Sequence, residues 1–187
     1  MEKNRVSVVY YSASGTTGQL AAAIAEGVNS VTGSEAVLVK LSGKDIIEGR
    51  YKNDEVMSLL TESNGIVFGS PTYMGGVAAQ FKAFVDASSE LWYRRAWLDK
   101  VAAGFTVGGS PSGEQHSTIQ YLQVMAGQHG MHWAGVDSLR SKQVNRLGAS
   151  SGLIAQAEEG ELDIADYRTA VELGIRVANL AGKLAAA

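Results

Sequence analysis

Val6-Ser7-Val8-Val9-Tyr10-Tyr11 runs directly into Ser12-Ala13-Ser14-Gly15-Thr16-Thr17, and a helical pattern follows from Gly18. The first run is almost wholly apolar, the mark of a strand buried on both faces. From Gly18 to Val31, the apolar residues Leu20, Ala23, Ile24 and Val28 recur near the 3.6-residue period. Between strand and helix lie six small residues, four of them hydroxylated and none charged. Amides at a helix start, together with the helix dipole, favour an anion. Gly15 permits a close backbone approach. A Ser/Thr-rich helix cap is the simpler reading, but a cap needs only one such residue. A phosphate cradle accounts for all four. No Gly-Lys-Ser/Thr follows and no G-x-G-x-x-G is present, so neither a Walker A loop nor a dinucleotide fingerprint fits. Without a lysine, the loop suits a phosphate monoester rather than a triphosphate with Mg²⁺.

The same strand-and-helix alternation continues along the chain. Ala36–Leu41, Gly65–Gly69 and Val101–Val107 read as further strands, and a fifth is expected to begin at Met131–Gly135. Helices are expected over Asp54–Ser63, Val77–Leu91, Ser117–Gly127 and Asp163–Leu184. Residues 137–162 are Gly- and Ser-rich with few apolar positions, and read as a long loop or insertion near the last strand. The pattern predicts a five-stranded parallel sheet covered by helices on both faces, a doubly wound α/β sandwich forming one domain over residues 1–187.

Composition bounds the chemistry. The chain has 187 residues, 45% hydrophobic and 19% charged, which is a globular balance. Cysteine is absent, which excludes disulfides, thiolate metal sites and cysteine nucleophiles. Only His116, His129 and His132 are available as imidazoles, leaving little for a metal site. A net charge of -3 with no basic block argues against a nucleic-acid partner. No apolar run reaches the roughly 18 residues of a membrane span, and no signal-like segment opens the chain. A soluble cytoplasmic protein is expected.

In open parallel sheets, ligands bind beyond the carboxyl ends of the strands. Two further strand ends carry loops of interest. Ser70-Pro71-Thr72-Tyr73-Met74-Gly75-Gly76 follows the third strand, with Pro71 stiffening it and Tyr73 and Met74 as packing surfaces for a ring. A plain strand-to-helix turn explains that composition equally. Gly108-Gly109-Ser110-Pro111-Ser112-Gly113-Glu114-Gln115-His116 follows the fourth, and its glycines expose backbone donors and acceptors to a heterocycle edge. Taken together, the three loops describe a mononucleotide with a large flat ring.

The Ser12–Thr17 loop resembles the T/S-x-T/S-G-x-T phosphate loop of flavodoxins. Gly69-Ser70-Pro71-Thr72-Tyr73-Met74-Gly75-Gly76 resembles a loop of the WrbA-type NAD(P)H:quinone oxidoreductases. Gln80–Asp86, Leu91-Trp92, Gln115 with Thr118, His129-Gly130-Met131 and Ile164–Arg168 are similar to that family too, so the resemblance spans nearly the whole chain. It implies a flavodoxin-like fold and noncovalent FMN. By that resemblance Ser12, Ser14, Gly15, Thr16 and Thr17 hold the phosphate. Pro71, Thr72, Tyr73, Met74 and Gly75 line one edge of the isoalloxazine, and Ser110, Pro111, Ser112, Gly113, Glu114 and Gln115 the other. His129 matches a histidine reaching the flavin from a neighbouring subunit; as a bare sequence feature it reads equally as a satisfied helix-end histidine. Trp92 matches an aromatic wall of the substrate pocket, though a core or interface place fits it as well. The chain departs from the family in its flavodoxin-like Ser14-Gly15-Thr16-Thr17. It also has Gly148-Ala149-Ser150-Ser151-Gly152 where G-x-P-Y-G is usual, and His116 where Glu is common.

The implied activity is ping-pong transfer of a hydride from NAD(P)H through FMN to a quinone-like acceptor, in a homodimer or homotetramer. The alternative is a flavodoxin-type electron carrier. Nineteen acidic against sixteen basic residues do not make the strongly acidic field expected of such a carrier. Arg94-Arg95 reads as a solvated helix face more readily than as a nucleotide-phosphate contact.

Overall fold

The computed structural model of the chain describes residues 3–137 and 143–186. In β1 (Asn4–Tyr10), Val6 through Tyr10 are all buried, which is why the run is apolar on both faces. Helix α1 (Thr16–Asn29) follows, then β2 (Ser34–Lys40), the short antiparallel pair β3 (Ile46–Ile47) and β4 (Arg50–Tyr51), and α2 (Asp54–Thr61). β5 (Gly65–Tyr73) turns back into β6 (Gly76–Val77) and leads to α3 (Ala79–Ala87) and α4 (Ser89–Tyr93). Next come β7 (Val101–Gly108), α5 (Gln115–Gln128), β8 (His132–Trp133), β9 (Leu153–Glu158), β10 (Glu161–Leu162) and α6 (Ile164–Ala185).

The long strands lie parallel in the order β2-β1-β5-β7-β9. Strands β6, β8 and β10 add two residues each, bringing the sheet to 8 strands around the expected five. The chain moves outward from β1 to β2, then crosses back to β5. That reversal is the topological switch point, and it sets the loops after β1, β5 and β7 side by side.

Helices α1 and α6 cover one face over Val6, Val8, Leu20, Ile24, Phe105, Leu173 and Val177. They approach through Gly27 and Gly174: a Cβ on Gly27 would stand 2.0 Å from Val171 O, and one on Gly174 2.1 Å from Ile24 O. The other face, under α3 and α5, is built on Phe68, Phe81, Phe84, Trp97, Ile119 and Leu122. Trp97 is fully buried, with ring centroids 6.0 Å from Phe68 and 6.4 Å from Phe84.

The fifth strand is not where the sequence pattern put it. Met131–Gly135 contributes only His132 and Trp133, which pair with Val101 and Ala102 at the start of β7. The full strand is β9, inside the stretch read as a loop, and it pairs with Phe105–Gly108 at the end of β7. One sheet position is therefore shared by two segments, with an insertion between them. Trp133 ends the first segment by turning its ring over Gly104, where a Cβ would meet Cη2 at 2.7 Å, and donating from Nε1 to Ser151 O at 2.6 Å. Within the expected loop, residues 138–142 lie outside the described residues. The expected helix over Val77–Leu91 is broken at buried Ser88 into α3 and α4.

Candidate functional site

The three loops meet at the carboxyl ends of β1, β5 and β7. In the first, Ala13, Ser14 and Gly15 are exposed, whereas Ser12, Thr16 and Thr17 are buried. Gly15 is the N-cap of α1 at φ 106, a conformation that glycine alone adopts freely, and the cap makes no side-chain hydrogen bond. Ser12 Oγ accepts from the amides of Gly15 (3.2 Å) and Gly18 (3.3 Å), so this hydroxyl shapes the loop from beneath. The first-turn amides of Thr16 and Thr17 have no intrahelical acceptor, and no acidic side chain stands in that turn. Ser14 Oγ lies 3.3 Å from Thr16 Oγ1, leaving a hydroxyl pair at the rim. Orphan amides, hydroxyls and the dipole of a 14-residue helix form a neutral donor set that fits a phosphate monoester.

The second loop is a tight hairpin. Thr72 pairs with Val77 and Tyr73 with Gly76, across a turn with φ 49 at Met74 and φ 78 at Gly75. Met74 and Tyr73 are exposed, while Pro71 is buried. Thr72 is half-buried, and its hydroxyl is engaged within the chain. Thr106 Oγ1 donates to Ser70 O at 2.7 Å, so its one proton is used. Thr72 Oγ1, 2.8 Å from Thr106 Oγ1, must then donate to it, and Thr118 Oγ1, also 2.8 Å away, must donate to Thr72. Ser70 Oγ closes the excursion by accepting from Ala78 N at 2.9 Å. Sequence reading passed over Thr106, whose signal is a hydroxyl inside the apolar run of β7.

In the third loop, Ser110, Pro111, Ser112 and Glu114 are exposed and Gln115 is buried. Glu114 takes φ 64, the left-handed region, next to the Gly75 turn. Ser117, also passed over in the sequence, ties the two loops: its one hydroxyl proton is shared between Gly75 O at 2.8 Å and Glu114 O at 2.7 Å. Across a cleft of about 500 Å³ from Pro111–His116 stands Leu147–Ser151, so the atypical 148–152 tip borders the site. The three loops contain no lysine or arginine.

His129 and Trp92 are elsewhere. The 14-residue helix α5, at 1.5 Å per residue, puts about 20 Å between Gln115 and His129. His129 and Trp92 instead line one pocket of about 330 Å³, with Lys82, Ser88, Tyr121 and Met125. Ser88 Oγ donates to Val85 O at 2.7 Å, so the contact of 3.0 Å to His129 Nε2 is a bond donated by the imidazole. Nδ1 is then the bare nitrogen, buried without a partner. Burial lowers the imidazole pKa from 6.5 to about 4, so the ring, packed against Trp97 at a centroid distance of 4.4 Å and tilted by 33°, is neutral at neutral pH.

With this geometry in view, residues 5–144 match the NADPH-dependent FMN reductase family. The chain belongs to that family. As an FMN reductase-family member it is an FMN-dependent oxidoreductase with NAD(P)H as donor, and the neutral donor set at α1 fits the monoester that FMN carries. Among its relatives, Flavodoxin FldP of Pseudomonas aeruginosa is 34% identical over 192 residues, covering 97% of this chain and 98% of that protein. NAD(P)H dehydrogenase (quinone) of Geotalea daltonii is 32% identical over 205 residues, covering 96% and 98%. The crystal structure of a flavodoxin, WrbA-like protein from Agrobacterium tumefaciens is 38% identical with a TM-score of 0.77, covering 97% and 99% of the two chains. The family assignment thus agrees with the flavodoxin-like, WrbA-type likeness read from the loops.

Proposed function

We propose that this FMN reductase-family chain passes a hydride from NAD(P)H to a quinone-like acceptor at the mouth formed by its three loops. The observation that carries this reading is the conjunction of an uncapped, uncharged helix N-terminus with two ring-sized loops at one switch point. The amides of Thr16 and Thr17 and the hydroxyls of Ser14 and Thr16 bind the phosphate. Ser12 holds the loop in shape. Tyr73, Met74 and Gly75 flank one edge of the ring, and Ser110 through Glu114 the other. Bound FMN supplies the hydride-accepting ring, the chemistry that no side chain here has. These residues would bind, orient and shield that ring, and a single mouth serving donor and acceptor in turn would give ping-pong kinetics.

His129 and Trp92 reach a flavin only from a second copy, given their distance from the loops of their own chain. The reading therefore includes a homodimer or homotetramer in which this pocket faces a neighbour's site. A cytoplasmic location suits the reading, and none of the described helices is long and apolar enough to cross a membrane. Anaerobic mixing with NADH or NADPH, followed by a quinone, tests it: bleaching and then recolouring are expected.

A second reading is an electron carrier. The charge-free Ser14-Gly15-Thr16-Thr17 loop and the likeness to Flavodoxin FldP favour it. A carrier would stay oxidised under both nicotinamide nucleotides, so the same experiment separates the two.

A further inference from the structure

Gln115 is 2% exposed, although it opens α5 at the end of a loop whose neighbouring side chains face solvent. Both ends of its amide are taken by that same loop. Nε2 donates to Ser110 O at 2.5 Å, and Oε1 accepts from Gly113 N at 2.7 Å. A flipped amide would set NH₂ against N–H and oxygen against oxygen, so the orientation is fixed by its partners. The side chain also lies against Gly108 at the start of the loop: a Cβ there would stand 2.5 Å from Nε2 and 3.0 Å from Cδ.

These contacts give one planar group control over a segment that has little else to hold it. Ser110, Pro111 and Ser112 are exposed, and the following Glu114 sits in the left-handed region at φ 64. No sheet ladder or helix fixes residues 109–114. The Gln115 amide sets the separation between Ser110 O and Gly113 N, and with it the curvature of the backbone between them. At 2% exposure the amide has no free surface to offer a ligand, so a direct contact with the ring is excluded.

We propose that Gln115 is a positioning residue. It moulds the 109–114 loop from beneath, and the affinity of the ring end of the site depends on this one buried amide, which makes no bond to the ligand itself. The proposal rests on the reading of the three loops as an FMN site.

The chemistry of the amide supplies its own control. Gln115→Leu keeps the approximate shape and removes both bonds. Gln115→Glu, when ionised, still accepts from Gly113 N but turns a bare oxygen towards the Ser110 carbonyl. When protonated, that carboxyl matches the amide, donating to Ser110 O and accepting from Gly113 N. The Glu variant should therefore be repaired by acid, while the Leu variant is not.

The test uses the full chain with FMN, comparing each variant with the unmodified protein at the same mildly alkaline and mildly acidic pH. For Gln115→Leu, FMN affinity should fall about tenfold at both pH values, as expected for two buried bonds lost. At saturating FMN the visible circular dichroism of the flavin should change while the phosphorus resonance of its phosphate stays in place. Gln115→Glu should match Leu at alkaline pH and recover most of the affinity in acid. Unchanged affinity and dichroism in the Leu variant would overturn the proposal. So would a displaced phosphorus resonance, which would mean a general collapse of the site, or a Glu variant showing no recovery in acid. An unmodified chain that binds no FMN would overturn the cofactor reading as well, and is told apart because no variant is needed to see it.

Discussion

The Ser117 hydroxyl reaches the Gly75 carbonyl at 2.8 Å, across 42 positions of sequence, and so joins the β5–β6 turn to the head of α5. The turn it holds carries Met74 at φ 49, a conformation a non-glycine side chain resists. Ser117→Ala should release the turn, costing about 1 kcal/mol of stability for one lost bond. FMN affinity should drop severalfold with it. Urea unfolding and FMN titration check both, and an intact affinity would show that the turn keeps its shape without the clasp.

Gly15 offers a cleaner lesion. A Cβ there meets nothing within 4 Å, so the backbone conformation rather than crowding at Cβ sets the effect. At φ 106 a β-branched residue is strained by roughly 1–3 kcal/mol, and it relieves the strain by moving the loop. Gly15→Val should abolish FMN retention through gel filtration while leaving far-ultraviolet dichroism unchanged.

His129 makes stability depend on pH. Its folded pKa of about 4 lies below the ordinary 6.5, so the unfolded chain takes up the proton first. Stability is full above 6.5 and is lost progressively as pH falls through the window to about 4, by up to about 3 kcal/mol. His129→Asn should flatten that slope in urea midpoints measured across the window. An unchanged slope would assign the dependence to another group.

Asp166 shifts the other way. It is 1% exposed, and burial raises its pKa above 3.8 although Arg146 Nη2 at 2.8 Å and the Gln156 amide at 3.1 Å oppose the rise. Its folded pKa being the higher, stability falls as pH rises through the window above 3.8. Arg146→Ala strips the counter-charge from a buried carboxylate and should cost about 3 kcal/mol at neutral pH. Much of that loss should return in acid, where Asp166 is protonated. Because Arg146 adjoins Leu147–Ser151, the variant should also loosen the wall of the cleft beside Pro111–His116.

The parallel sheet and the three loops at its strand ends were legible because periodicity and small-residue loops are local signals. β9 was hidden because Leu153–Glu158 is a six-residue strand flanked by Gly148–Gly152 and the Glu159-Gly160 turn, both of which carry loop composition. Met131–Gly135 misled because its apolar character belongs to a segment that leaves the sheet after Trp133. The engagement of the Thr72 hydroxyl was not legible either, since its partners Thr106 and Thr118 lie 34 and 46 positions away. Gln115 was found by likeness, but its direction was not: that depends on Ser110 and Gly113 folding back over it.

Anaerobic stopped-flow mixing of the FMN-loaded chain with NADH and, separately, with NADPH reports most directly on whether the three loops serve an oxidoreductase. The yellow flavin band should bleach with at least one nucleotide, and a quinone added afterwards should restore it. A band that stays unbleached by both nucleotides, in a chain that retains FMN, would contradict the enzymatic reading and leave the electron carrier.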